Sequence, residues 1–484
     1  MRLLIVLLFS FTSIYSSLFS QDCIEVNQWD IQSAVTRAME ANRNLINSID
    51  SVARANINLE YEYTEFNWQY GPNGRGGVAG GGGRGGGLST TLGYDFNKRW
   101  TTGTRVNLSP GISLERKKVS FALGAFISQP LFRGSGYWYN TSRIQAAAFT
   151  QRGAIRSLYS AQTKLMVRVI AAMYEIVKQE EIVRFNRESF ERIKGYAQAA
   201  KLKEKIGLSD SLDVYRAETE LRHAEDNLTG AEERLEEAYD IFRELLALPM
   251  DLPVNVSVPM MYTDIEFTGE EAVAAALDRR IELDQAQDII WESKRQLNYA
   301  KENMLPDISL FFDHKAWLGR VVQSYRDTDP ALVNGYAPYG REILSYEWSN
   351  TNTWGVGLLA NSNLCRYSEK NFYENALMNL DASYRNLEQS ETIITMEVRR
   401  SIRILNQAKK RILLQEEQIK NAEGELYLSQ IKFDRGFANN FDVIQAERNL
   451  RNAHIAYLSA LVEHINGEYI FTNNLGVLAE KPCF

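Results

Sequence analysis

The stretch Lys203–Glu218 recurs near the C-terminus as Lys432–Glu447, and this repetition constrains the fold more than any other feature of the 484-residue chain. With Gly207 laid on Gly436, the pairs Asp213/Asp442, Val214/Val443, Ala217/Ala446 and Glu218/Glu447 fall into register without a gap. The match runs on through Leu221/Leu450, Arg222/Arg451, Ala224/Ala453, Ala231/Ala460 and Phe242/Phe471. An earlier pair of segments, around Ala34-Val35 and Ala272-Val273, matches in the same sense, so the repeat covers two halves of similar length. Self-similarity on this scale means one supersecondary unit built twice.

Each copy reads as a helix, a tight turn and a second helix. Gly207 and Gly436 stand where a helix C-terminus wants a residue able to take positive φ. Three residues on, Asp210 and Asn439 suit the N-cap of the next helix, and Asp213 and Asp442 fall at N3, where a carboxylate complements the helix dipole. After the first turn, Val214, Ala217, Leu221, Ala224, Leu228, Ala231, Leu235, Ala238 and Phe242 step alternately by three and four, a heptad seam. Alanine at every other seam position lets the partner helix approach closely. Neither Asn140–Gly207 nor Tyr367–Gly436 contains proline, and glycine is sparse in both. A continuous helix of some 65 residues would be about 100 Å long, the length of a rod rather than of a globular core element.

Two regions between the helices read as strands. Thr91–Phe96 and Thr104–Leu108 alternate in polarity around Thr102-Gly103, and Val119–Ile127 follows, ending at Gln129-Pro130-Leu131-Phe132. The second half has Ile308–Phe312 and, after a long insertion at about 320–350, Thr353–Leu359. Trp68, Tyr94, Trp100, Trp138, Trp317, Trp348 and Trp354 crowd these regions. Alternating strands with rings at their ends suit a transmembrane β-barrel wall with aromatic girdles. Residues 71–87, eleven of seventeen of them glycine, lack the strand–helix context of a phosphate-binding loop and read as a flexible surface loop.

Met1-Arg2, the apolar run Leu3–Phe9 and the Ser/Thr-rich residues to Ser20 read as a secretory signal, too short to span a bilayer. A net charge of −7 gives no nucleic-acid surface. Three cysteines are too few for a disulfide framework; Cys23 and Cys483 either bridge the chain ends or remain two thiols.

On the doubled turn motif, the doubled Ala-rich helices at Ala34 and Ala272, and Gln129-Pro130-Leu131-Phe132, the chain resembles the outer-membrane efflux proteins, the TolC-like channel-tunnels of Gram-negative bacteria. The resemblance implies a mainly α fold with a transmembrane β part. Long antiparallel coiled-coil helices would form a periplasmic α-barrel, and four strands per protomer would join a trimeric, twelve-stranded β-barrel. Signal residues 1–20 would precede a first repeat over 21–249, with its strand pair at about 88–131. A linker over 250–267, marked by prolines, would lead to a second repeat over 268–478, with strands at about 307–364, and a tail over 479–484. The function implied is a passive exit duct in the outer membrane for a tripartite efflux or type I secretion system. Its partners would be a periplasmic adaptor and an inner-membrane transporter of RND or ABC type. By motif position, Gly207, Leu208, Ser209 and Asp210, with Gly436, Phe437, Ala438 and Asn439, are the tips expected to touch the adaptor. Asp213, Asp442 and Gln445 are the candidate periplasmic gate; Gln445 stands where some relatives carry an acid.

No cofactor, metal or catalytic residue is expected. His223, His314, His454 and His464 have no metal or triad spacing around them, and His464 falls on a helix seam. An exported coiled-coil stalk or adhesin is the alternative, but such a stalk has no use for β-regions at matching places in both halves.

Overall fold

The computed structural model describes residues 28–81, 84–115, 118–207, 210–262, 269–326, 342–361, 365–479 and 481–482. The expected signal peptide, Cys23, Cys483, Leu208, Ser209, Asn363-Leu364 and the middle of the second-half insertion lie outside the described residues. The chain divides into two compact units, one holding residues 1–48, 158–280 and 394–481, the other 49–157, 281–393 and 482–484.

In the first unit, strand β1 (Gln28–Trp29) pairs in parallel with β6 (Asn255–Val256). Helix α1 (Ile31–Ala41) opens on a capping box: Asp30 Oδ1 accepts from the Ser33 N–H at 2.9 Å, and Ser33 Oγ accepts from the Asp30 N–H at 3.1 Å. It ends at Asn42, whose Oδ1 accepts from Asn44 and Leu45 at the start of α2 (Arg43–Thr64). The buried Asn42 amide also donates to the Leu245 carbonyl at 2.9 Å, so this one side chain caps a helix and ties two elements together.

Helices α4 (Ser142–Lys205) and α5 (Ser211–Leu246) make the first hairpin; α8 (Tyr367–Asp434) and α9 (Asn440–Asn474) make the second. Val214, Ala217, Ala224, Ala231, Ala238 and Phe242 are all buried, which confirms the seam read from the three-four spacing. Toward the turn, Val214, Ala217 and Ala224 pack on Ile193, Ala197 and Ala200 of α4 and on Ile444 of α9. Farther along, Phe242 and Leu246 join Ala34, Ala38, Val169, Met173 and Ile176 in one core, with Trp29 meeting Phe242 edge to face. His464 is a core residue, with Nε2 3.2 Å from Glu468 and its ring against Tyr262.

The second unit carries the sheet. Strands β2 (Gln69–Gly81), β3 (Arg84–Arg99), β4 (Arg105–Glu115), β5 (Lys118–Pro130), β7 (Asp307–Arg326) and β8 (Glu342–Asn361) lie in the order β2-β3-β4-β5-β7-β8, every neighbour antiparallel. The sheet therefore has six strands where four were expected, and the glycine-rich run is strand rather than loop. Glycine has low strand propensity because it offers no side chain to pack, but its N–H and C=O pair like any other. The neighbouring strand sets the register, through Tyr70↔Phe96, Pro72↔Tyr94 and Gly74↔Leu92. The second-half insertion is likewise part of the ladder out to the pair Arg326↔Glu342.

Below the sheet's helix-proximal end, Arg99 donates to the carboxylate of Glu65 and, at 2.8 Å, to Asn140 Oδ1, while the Asn140 amide reaches the Gly134 and Gly136 carbonyls. These bonds fix the strand-to-helix corner that Pro130 opens. In the same unit, helix α7 (Ile281–Asn303) holds Asp288 2.9 Å from Arg152 and 2.5 Å from Arg156, and the two guanidinium groups keep that carboxyl below its ordinary range despite partial burial.

Candidate functional site

The candidate site residues fall at the hairpin tips of the first unit, and the strands of the second unit form one pleated sheet. At the second tip, the Gly436 N–H donates to Phe433 and the Phe437 N–H to Lys432 at 2.7 Å, the bond pair of a Schellman motif. Gly436 has φ +78°, and Gly207, whose N–H donates to Glu204, has φ +77°, as the turn reading requires. Asn439 and Asp442 form the expected cap: the Asn439 N–H donates to Asp442 Oδ2 at 3.2 Å. Asp210 is an N-cap whose side chain makes no capping bond; its carbonyl accepts from Asp213 instead.

The tips expose apolar side chains. Phe437 is 81% exposed, and Ile206, Leu212 and Tyr215 at the first tip and Phe441 at the second are exposed too. Large apolar groups left exposed at both turns are candidates for burial against a partner. Leu212 and Phe441 occupy equivalent places in the two repeats, five residues after the turn glycine, a coincidence visible in the sequence that the turn-centred reading passed over. The second hairpin near its turn also touches α4. Gln430 Nε2 donates to Tyr196 Oη at 3.1 Å, the Asn440 amide donates to the Tyr196 carbonyl at 3.0 Å, and Tyr196 meets Phe433 edge to face.

Of the candidate gate residues, Gln445 lies in a network in which Arg448 donates to its Oε1 and also pairs with Glu220 at 3.3 Å. Asp442 serves the cap, and Gln445 Nε2 donates to Asn449 Oδ1 at 2.9 Å. Sequence reasoning passed over Glu447. Its equivalent, Glu218, is an exposed partner of Lys201 at 2.6 Å, whereas Glu447 is fully buried with Arg192 Nε 2.9 Å from its carboxylate. Burial pushes the Glu447 carboxyl above its ordinary value, and Arg192 offsets this in part.

A raised folded-state pKa favours the protonated native form, so its contribution to stability is full below the unfolded-state value and falls as pH rises through the folded-state one. Replacing Glu447 by Gln removes that loss. The melting temperature of Glu447→Gln relative to the parent should therefore be more favourable at pH 8 than at pH 4, by calorimetry of the detergent-solubilised protein. An equal offset at both values would show that the buried carboxyl is not linked to folding.

The sheet has two unlike faces. Because side chains alternate along each strand, the registers place Tyr70, Leu92, Ile112, Phe121, Leu318 and Asn350 on one face, with Tyr94, Leu123, Ile127, Phe312, Val356 and Leu358 beside them. Most of these are exposed, Val356 at 60% and Leu358 at 66%. The other face carries Asn73, Thr91, Asn97, Asn107, Ser113, Ser120, Lys315 and Thr353, with Asn107 bonded to Asn97 at 2.6 Å. An exposed face rich in large apolar groups, opposite one rich in Asn, Ser and Thr that also carries Phe126, Phe311 and Trp317, suits a strand wall between lipid and a watery lumen. Trp68 and Trp100 meet edge to face where the first hairpin leaves the helices, as a girdle requires. No described helix is long and apolar enough to cross a membrane, and no group of metal-ligating side chains occurs among the described residues.

Residues 272–463 match the family model described as outer membrane efflux protein. Among solved structures, CusC is similar with a TM-score of 0.67 at 14% identity, over 94% of this chain and 95% of that one. The CmeC outer membrane channel of Campylobacter jejuni has a TM-score of 0.67 at 14% identity, over 92% of this chain and 85% of that one. The open state of the MtrE outer membrane channel of Neisseria gonorrhoeae has a TM-score of 0.65 at 16% identity, over 92% and 89%. No curated protein sequence matches the chain. Residues 272–463 are thus similar to outer membrane efflux proteins, and the chain as a whole has the fold of these outer-membrane channels.

Proposed function

We propose that three copies of this chain form a passive exit duct in the outer membrane, fed from the periplasm by an adaptor and an energised inner-membrane transporter of RND or ABC type. The observation that carries the reading is the sheet: an exposed apolar pleat backed by a polar one has no role in a water-soluble stalk and suits a lipid-facing wall. An open six-stranded sheet has two edges, β2 and β8, whose backbone groups find no water in hydrocarbon, so the wall must be shared among copies. The efflux protein domain over 272–463 supports the same assignment.

In this reading the signal over 1–20 is removed, and the repeats over 21–249 and 268–478, joined by 250–267, each supply strands and one helical hairpin. Adaptor contact falls on Gly207, Leu208, Ser209 and Asp210 and on Gly436, Phe437, Ala438 and Asn439. The duct does no catalysis and needs no cofactor; energy enters at the inner membrane. The test is subunit counting by cross-linking followed by planar-bilayer conductance of the detergent-extracted protein. A trimer with small, gated conductance is expected. A water-soluble monomer without conductance would overturn the duct and leave an exported coiled-coil stalk.

A further inference from the structure

We infer that the glycine-rich hairpin β2–β3 is part of the membrane wall, so that three copies close a barrel of eighteen strands instead of twelve. The inference rests on the duct reading above and concerns how wide its outer-membrane end is. Three observations lead to it. First, β3 is not an appendage: it pairs with β4 from Ser89↔Glu115 to Arg99↔Arg105, over the length that β4 in turn pairs with β5. Second, the hairpin continues both faces of the sheet. Tyr70, Leu92 and Tyr94 extend the apolar face and are exposed, while Thr91 and Asn97 extend the polar one, bonded to Ser113 and Asn107. A hairpin folded out over the mouth as a loop, or inward as a plug, would have no reason to keep its apolar side flush with the lipid-facing side of its neighbours.

Third, the edges fit a closed ring of copies. Six antiparallel strands leave β2 and β8 running in opposite directions, so β8 of one copy beside β2 of the next continues the antiparallel alternation without a break. Such a head-to-tail contact is heterologous, and rotation closes it. Barrel diameter grows roughly in proportion to strand number, so the wall would be about one and a half times as wide as a twelve-stranded one. Its lumen there would be lined mainly by polar side chains and glycine, with Phe126, Phe311 and Trp317 among them, a surface suited to hydrated or bulky cargo. The glycines of β2 then have a use: Gly71 has nothing within 4 Å of a Cβ built on it, so this edge leaves room for the neighbouring copy.

The experiment uses the full chain, with its own cysteines replaced by serine, in vesicles of phosphatidylcholine. Single variants Leu92→Cys, Leu123→Cys and Thr91→Cys are labelled with a fluorophore and quenched either by brominated acyl chains or by aqueous iodide. Expected is lipid quenching at Leu92 equal to that at Leu123, with Thr91 quenched several-fold better by iodide. Lipid quenching at Leu123 but none at Leu92 would place the hairpin outside the wall and overturn the inference while leaving the duct intact. No lipid quenching at either position would overturn both. A second measurement joins edges: Gly71→Cys paired in turn with Thr351→Cys, Thr353→Cys and Gly355→Cys should give covalent trimers on oxidation. Covalent trimers formed only when Asn107→Cys replaces Gly71→Cys would mean that β4 is the edge and the barrel has twelve strands.

Discussion

Leu123→Arg should prevent assembly in the outer membrane, whereas Ala122→Arg, one residue away, should assemble normally and alter only conduction. The two side chains leave β5 on opposite faces: Leu123, half-exposed, stands beside Pro110 and Ala316 on the apolar face, and Ala122 stands beside Gly111 and Trp317 on the other. An arginine held at bilayer depth on a lipid-facing strand costs about 2–4 kcal/mol. Each copy contributes one such group, so a trimer bears the cost three times, against a net stability that is only of order 10 kcal/mol for a typical domain. The Leu123→Arg protein should therefore be absent from outer-membrane fractions by heat-modifiability and protease protection. The Ala122→Arg arginine points into water and keeps its hydration. Its trimers should conduct with reduced selectivity for cations, because each subunit adds a positive charge to the lumen. Normal assembly of both variants, or failure of both, would mean that the two faces of the sheet do not separate lipid from water.

What could be read from the sequence follows from where its signals reside. The helical hairpins were legible because a seam such as Val214, Ala217, Leu221 and Ala224 is written in side chains, at a period no other structure shares. The turns were legible because Gly207 and Gly436 answer a backbone demand that few other residues meet, and both take positive φ. Strands β4, β5, β7 and β8 show their two faces as alternating polarity. Strand β2 could not, since alternation needs side chains and Gly71, Gly74, Gly76 and Gly77 have none; only its pairing with β3 reveals it. Glu447 stayed hidden for a different reason. The repeat predicts the same environment as Glu218, but α9 is packed on both sides where α5 leaves Glu218 at the surface. Duplicated sequence diverges first in what surrounds it, and that information lies in other segments. The exposure of Ile206 and Leu212 was missed because a turn was sought as backbone geometry, and neither of these flanking residues falls on the seam.

Those flanking groups give the second large effect. Leu212→Asp combined with Phe437→Asp should reduce export by two to three orders of magnitude while trimers, membrane insertion and intrinsic conductance persist. Leu212 is 51% exposed and Phe437 81% exposed, so neither contributes much to the packing of its own hairpin, and the substitutions should be nearly neutral for folding. The turn bonds beside them come from backbone groups, Gly436 to Phe433 and Phe437 to Lys432, which the substitutions leave in place. An adaptor covering these side chains would gain about 1.5–3 kcal/mol for each one buried. Losing two, and forcing two carboxylates into an apolar contact, removes enough binding free energy to shift the dissociation constant by at least two decades. The conservative pair Leu212→Met with Phe437→Leu should keep export near the parental level, because it retains apolar surface of similar size. Dissociated trimers in the aspartate variant would show that the tips hold the assembly together rather than recruit a partner. Undiminished export by intact trimers would move the docking surface elsewhere on the helices.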